Sequence, residues 1–225
     1  MPRTQLTKER QVAFKETHLG RIILFCEGQT EKYYFEYFAD IIESNGNKYS
    51  DVEVVIADIP GGNAQHVLNR ANEFFADDSK AQKYRDYEKC LVYDCDAPGN
   101  IQSVITASRD YTIYISNLLF ETWLLMHFEE VGTKLKKPEI YENLTEHLQI
   151  NKYKKGQKGI VRKIVADNKQ IESAISNAEK LSKIYDADEK SIYSDIQDMN
   201  PYTNIHILVE QLLHEITPNI EKKYI

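Results

Sequence analysis

Apolar and polar positions divide the chain into two unlike halves. In the first, short apolar runs alternate with amphipathic stretches. RIILFC at 21–26, bounded by Gly20 and Gly28, reads as a buried strand. QTEKYYFEYFADIIES at 29–44 follows at once. Its Tyr33, Tyr34, Tyr37, Phe38, Ile41 and Ile42 recur at helical spacing, and Asn45-Gly46 ends the helix. VEVVIA at 52–57 is a second strand. Pro60-Gly61-Gly62-Asn63 is a loop whose asparagine caps a helix through about Phe75. A third strand spans 88–93, IQSVITAS forms a short helix, and YTIYI at 111–115 is a fourth strand. SNLLFETWLLMHFEE is then strongly apolar, helical and buried.

The second half has few β-branched runs and much Lys, Asn, Glu and Ala. Helices are predicted over 139–149, 157–167 and 169–185. DADEKSIYSDIQDMNPYT reads as a loop, and Asn200-Pro201 opens a last helix through about Glu215. There is no internal repeat. The strand–helix alternation predicts an α/β fold with a mainly parallel central sheet flanked by helices and a helical C-terminal extension. The expected division is a polar N-terminal segment at 1–20, an α/β core at 21–130, and a helical region at 131–225 packed on that core. Sheets of this kind bind ligands at the carboxyl ends of their strands. Right-handed crossovers allow strands one and three to lie side by side there.

Composition narrows the function. The 225 residues carry 35 acids against 28 bases, a formal charge of −7. A protein held to nucleic acid by charge alone is usually basic. This one needs local basic patches, or metal ions bridging its acids to phosphate. Three cysteines without a CxxC indicate neither a disulfide framework nor a structural zinc, so Cys26 and Cys95 read as small apolar fillers. The polar start lacks a signal-peptide core and no apolar run reaches membrane length. A soluble, cytoplasmic protein without a membrane partner is expected. Fifteen tyrosines leave room for a homo-oligomeric interface.

The chemistry concentrates at strand ends. LVYDCDAPGN places Asp94 and Asp96 where the third strand ends, and Glu27 follows the first. Such carboxylates repel one another and resist charging when buried, unless a cation lies between them. They form either a site for a hard divalent ion, Mg²⁺ or Mn²⁺, or solvated acids that cap the following turns. Gly28 lets the backbone turn sharply beside Glu27. Glu31 reads first as an acid favoured by the helix dipole, and otherwise as a further ligand or supporting acid. Glu121 sits on an apolar helix, so its charge needs a partner, metal or base. His127 reads as a satisfied buried histidine, and His66, His147, His206 and His214 as structural or surface groups. KYKKGQKGIVRK at 152–163 offers Lys152, Lys154, Lys155, Lys158, Arg162 and Lys163 to a phosphate backbone, with Tyr153 to stack on a base; otherwise it is a solvated face. There is no P-loop, GxGxxG or GxSxG.

A glutamate after the first strand and Asp-x-Asp after the third resemble the acids of a Toprim domain. CEGQTEKYYF, YDCDAPG, SNLLFETWLLMHF, Tyr153-x-Lys155 and NPYTNIHILVEQL, in that order from about Arg21 to Leu213, resemble the motif series of the RloB family, which includes AbiLii-type abortive-infection proteins. The resemblance implies a Toprim-like fold and a role in defence against phage or mobile DNA. It implies Mg²⁺-dependent cleavage of DNA or RNA, with other defence-system proteins as further partners. By position, Glu27 matches a general acid or base and metal contact, and Asp94 and Asp96 the metal pair. Glu31 and Glu121 match further acids; Asn117, Asn200 and Thr203 match later polar positions. Lys155 is the candidate to offset phosphate charge. The family usually has Ser-Asn-Pro before FExW, and here Leu118 replaces the proline. The rival reading is a non-catalytic sensor of a nucleotide or phage component, built on the same acids. A receiver-type signalling domain fits less well, because it wants paired acids after the first strand and a single aspartate after the third.

Overall fold

The computed structural model describes residues 18–46, 48–57, 63–96, 101–132 and 134–216. The N-terminal stretch through residue 17 and the Pro-Gly turns within 58–62 and 97–100 lie outside them. Strands β1 (Arg21–Cys26), β2 (Asp51–Ile56), β3 (Glu88–Asp94), β4 (Thr112–Asn117) and β5 (Tyr202–Thr203) form one sheet in the order β2-β1-β3-β4-β5. The first four are parallel, and β5 joins β4 antiparallel. The α/β fold read from the sequence is therefore the observed one.

Both faces of the sheet are covered, which is why its strands are near-continuous apolar runs instead of alternating ones. Ile22, Leu24 and Cys26 of β1 face one layer of helices. That layer includes α1 (Gln29–Ser44), through Tyr34, Phe38 and Ile42. Ile23 and Phe25 face the opposite layer. It contains α2 (Ala64–Ala76) and α4 (Ile101–Ala107); the short α3 (Asp78–Lys83), between α2 and β3, has no buried residue. Asn63 caps α2 through its side-chain oxygen. From β1 the chain crosses to β2 on one side and later to β3 on the other. The loops after β1 and β3 thus leave in opposite directions and open a crevice at the carboxyl end of the sheet.

The second half packs on the α1 layer. α5 (Phe120–Leu125), α6 (Lys137–His147), α7 (Lys158–Val165), α8 (Asn168–Ala187) and α9 (Ile205–Ile216) share one apolar cluster with β1. The apolar segment after β4 is helical only over α5 and continues as turns. The predicted loop before residue 200 includes a short 3₁₀ turn, Ile196–Asp198.

One expectation fails at residues 200–204. Pro201 does not begin the last helix; the next residues pair with the β4 edge. Thr203 and Ser116 share a hydrogen bond of 2.9 Å, and the Thr203 hydroxyl also accepts from the Ile205 N–H at 3.2 Å. Asn204 accepts from the Ile115 N–H at 2.7 Å and donates to the Ile113 carbonyl at 2.9 Å. Satisfying the otherwise open edge of β4 outweighs starting the helix four residues earlier. Among the described residues no helix is long and apolar enough to cross a membrane.

His127 follows the satisfied reading. Its Nδ1–H can only donate to the Trp123 carbonyl, 3.0 Å away, so Nε2 accepts from the Tyr34 hydroxyl at 3.2 Å. Burial pushes its pKa down from 6.5 to about 4. The unfolded chain therefore takes up this proton first as pH falls. The cost is absent above about pH 6.5 and complete below about pH 4, where it reaches ~3 kcal/mol. His127→Gln, which cannot titrate, is expected to remove that acid-side loss. Urea unfolding of both proteins between those limits measures it, and parallel curves would refute the assignment.

Candidate functional site

Five side chains meet at the carboxyl ends of β1 and β3. Glu27 leaves β1 and Gly28 turns the chain into α1 in an extended conformation, so that Thr30 and Glu31 enter the first turn of the helix, both buried. Glu31 is therefore not an exposed dipole acid. It shares the inward stripe of Tyr34, Phe35, Phe38 and Ile42, which turns its carboxylate into the site. Asp94 ends β3 and is buried. Its Oδ1 accepts the Phe120 N–H at 2.7 Å, which ties β3 to the start of α5. The next residue of α5 is Glu121, fully buried.

Lys155 joins them. Its ammonium donates to Asp94 Oδ2 at 2.8 Å and lies 3.3 Å from Glu121 Oε2, outside hydrogen-bonding alignment there. Glu121 Oε1 accepts from the Tyr153 hydroxyl at 3.1 Å and from the Thr30 hydroxyl at 3.3 Å. Thr30 in turn accepts the Gly156 N–H at 2.9 Å. Gly156 has φ +72, and a Cβ there would come within 3.2 Å of Gln29 Cβ. A glycine lets residues 153–156 close over the start of α1.

Electrostatics follow from burial and crowding. Burial, then Asp94 and Glu31, raise Glu27 to about 9; burial, then Asp94, raise Glu31 to about 8. Burial also raises Glu121, against the pull of Lys155. For Lys155 burial works downward, but Asp94, Glu121 and Glu31 together hold it well above the usual lysine value. One cation thus serves four acids. Glu27 Oε2 and Glu121 Oε2 are buried with no hydrogen-bond partner.

The other candidates fall elsewhere. Asp96 lies at the rim, paired with Lys137 at 3.2 Å. Tyr153 cannot stack on a base, because it is buried with its hydroxyl on Glu121. Lys152, Lys154 and Lys163 are exposed, Lys158 lies 5.5 Å from the Tyr33 ring, and Arg162 is paired with Asp40. Asn117 is buried and donates to the Ile196 carbonyl at 2.6 Å. Asn200 clasps Leu135 through both of its backbone groups, and Thr203 holds β5 to β4. These three position chain segments around the site. Cys26, Cys90 and Cys95 are buried thiols that form no disulfide, and burial raises the Cys26 and Cys95 thiols.

Among the described residues, no three His, Cys, Asp or Glu side chains form a ready metal shell. The donors nonetheless suit a hard divalent ion: all are carboxylate oxygens, and two are buried and unpaired. No curated protein and no solved structure matches the chain. The family model described as RloB-like protein matches residues 22–212, nearly the full run of motifs that builds this site, and the chain belongs to that family.

Proposed function

We propose that the chain is a Mg²⁺- or Mn²⁺-dependent phosphodiester hydrolase acting on DNA or RNA. The observation that carries this reading is the excess of carboxylate at a strand-end crevice: buried Glu31, Asp94 and Glu121 and half-buried Glu27 around the ammonium of Lys155. Glu27, Asp94 and Glu121 would hold the ion, and Asp96 at the mouth would join from its pair with Lys137. A bound divalent ion neutralises phosphate charge and lowers the pKa of water. Glu27 Oε2, buried and unpaired, is the atom to exchange a proton with the attacking or leaving oxygen. Lys155 supplies positive charge to the phosphate, and Lys152, Lys154, Lys158 and Lys163 to the strand on either side. The Toprim-like placing of the acids, the AbiLii-type role in defence against phage or mobile DNA, and cooperation with other defence-system proteins belong to the same proposal. A second reading, a non-catalytic sensor on the same acids, is favoured by one observation: Lys155 already neutralises Asp94 and Glu121.

Plasmid, linear DNA and RNA incubated with the protein in Mg²⁺, Mn²⁺ or EDTA separate the two. Cleavage that requires metal and is lost in Glu27→Gln is expected. A folded protein that cuts none of them leaves the sensor standing.

Metal also has a stability signature. Because Glu27 and Glu31 are raised from 4.5 to about 9 and about 8, the native state binds more protons than the unfolded chain across that window. The contribution of these two acids to metal-free stability therefore falls as pH rises from 4.5 towards 9. A divalent ion takes over the role of those protons. Mg²⁺ is expected to raise Tm by about 4 °C or more at about pH 8.5 and hardly at about pH 5.5. Equal shifts at both pH values would argue against a cation at these acids.

A further inference from the structure

The two carboxylates beside Lys155 divide their oxygens in the same way. Asp94 gives Oδ1 to the Phe120 N–H and turns Oδ2 to the ammonium. Glu121 gives Oε1 to Tyr153 and Thr30 and turns Oε2 to the ammonium. The protein's own donors thus fix both carboxylates, and neither needs the lysine to keep its place. Two fixed oxygens aimed at a shared point, one of them the buried Glu121 Oε2 that has no hydrogen-bond partner, describe a cation position.

The lysine is attached differently. Its backbone is pinned on both sides: the Tyr153 N–H donates to the Thr145 hydroxyl at 2.9 Å and the Gly156 N–H to Thr30 at 2.9 Å. Its four-carbon side chain reaches the acids from between these anchors. That side chain is 37% exposed, whereas those of Asp94 and Glu121 are 1% and 0% exposed. Lys155 therefore stands between Asp94, Glu121 and solvent. A flexible ammonium that makes one aligned hydrogen bond yields to a divalent ion, which satisfies more of the surrounding negative charge.

We propose that Lys155 is a displaceable counter-ion. In the metal-free protein its ammonium holds the divalent-ion position between Asp94 and Glu121. On metal loading it swings to the mouth, where it meets the phosphate of the substrate. The proposal rests on the metal-dependent reading above and adds how metal loading and substrate contact are coupled through one side chain.

Mn²⁺ alone, titrated into the full chain and followed by electron paramagnetic resonance, tests it. Lys155→Met is expected to bind Mn²⁺ about tenfold or more tighter than wild type, and Lys180→Met, which removes a surface charge paired with Glu130 outside the site, within about threefold. A second measurement needs no variant. Amine acetylation read by mass spectrometry should find Lys155 protected without metal and labelled faster in saturating Mn²⁺, with Lys154 unchanged. Wild-type Mn²⁺ binding with no gain in Lys155→Met, or with Lys155 labelling unmoved, overturns the counter-ion and leaves the metal-dependent reading intact. Failure of both proteins to bind Mn²⁺ overturns the two together.

Discussion

Asp94→Asn is expected to lower metal-dependent cleavage by about a thousandfold while the protein stays folded. The asparagine carbonyl can still accept the Phe120 N–H that Asp94 Oδ1 accepts at 2.7 Å, so the tie between β3 and α5 survives. What disappears is the charged oxygen facing the cation position, and the amide group that replaces it meets an ammonium, or a metal, with its own N–H groups. Asp96→Asn is expected to cost only about tenfold, because that carboxylate lies at the rim and spends its charge on Lys137. The two variants should be compared in one cleavage assay, with circular dichroism to show both are folded. Equal losses would mean that the acids act as an equivalent pair, and would overturn the ranking drawn from their burial.

That ranking also marks where sequence reading stops. Asp94 and Asp96 are alike in the sequence, two acids at one strand end. Strand alternation placed them beside Glu27, and β1 does pair with β3. Nothing local says that the strand carries Asp94 into the protein while the turn carries Asp96 out. Glu31 was more legible than its dipole reading allowed: it falls three and four residues before Tyr34 and Phe35, on the stripe that becomes buried. The pairing of Glu121 with Lys155 spans 34 positions and obeys no period, so only the fold discloses it. The lysine-rich run has one member turned inward, and its neighbour Tyr153 is drawn under the site by Glu121 instead of out to a base. The short β5 escaped for a related reason. Two residues carry no alternation, and their strand conformation is imposed by the Ser116–Thr203 and Asn204 bonds to β4.

Removing the inward lysine should show how much the site depends on it without metal. In EDTA at about pH 8, Lys155→Met is expected to lose about 3 kcal/mol of stability, the low end of the cost of stripping a buried charge of its partner, since the lysine side chain is itself partly exposed. The cost falls on Asp94 and Glu121, whose facing oxygens are left with no cation and no solvent. Near pH 5 the loss should shrink, because Glu31, raised to about 8 and so half charged at pH 8, is protonated there and stops adding to the repulsion, while Glu27, raised to about 9, is mostly protonated at both pH values. Mg²⁺ should restore most of the loss at pH 8 if, as proposed, a divalent ion takes the vacated position. Urea denaturation of wild type and variant at both pH values, with and without Mg²⁺, gives all the terms. A variant as stable as wild type in EDTA at pH 8 would mean that the acids do not share Lys155 as their counter-ion. A loss that Mg²⁺ leaves untouched would mean that the lysine holds the acids together without marking a metal position.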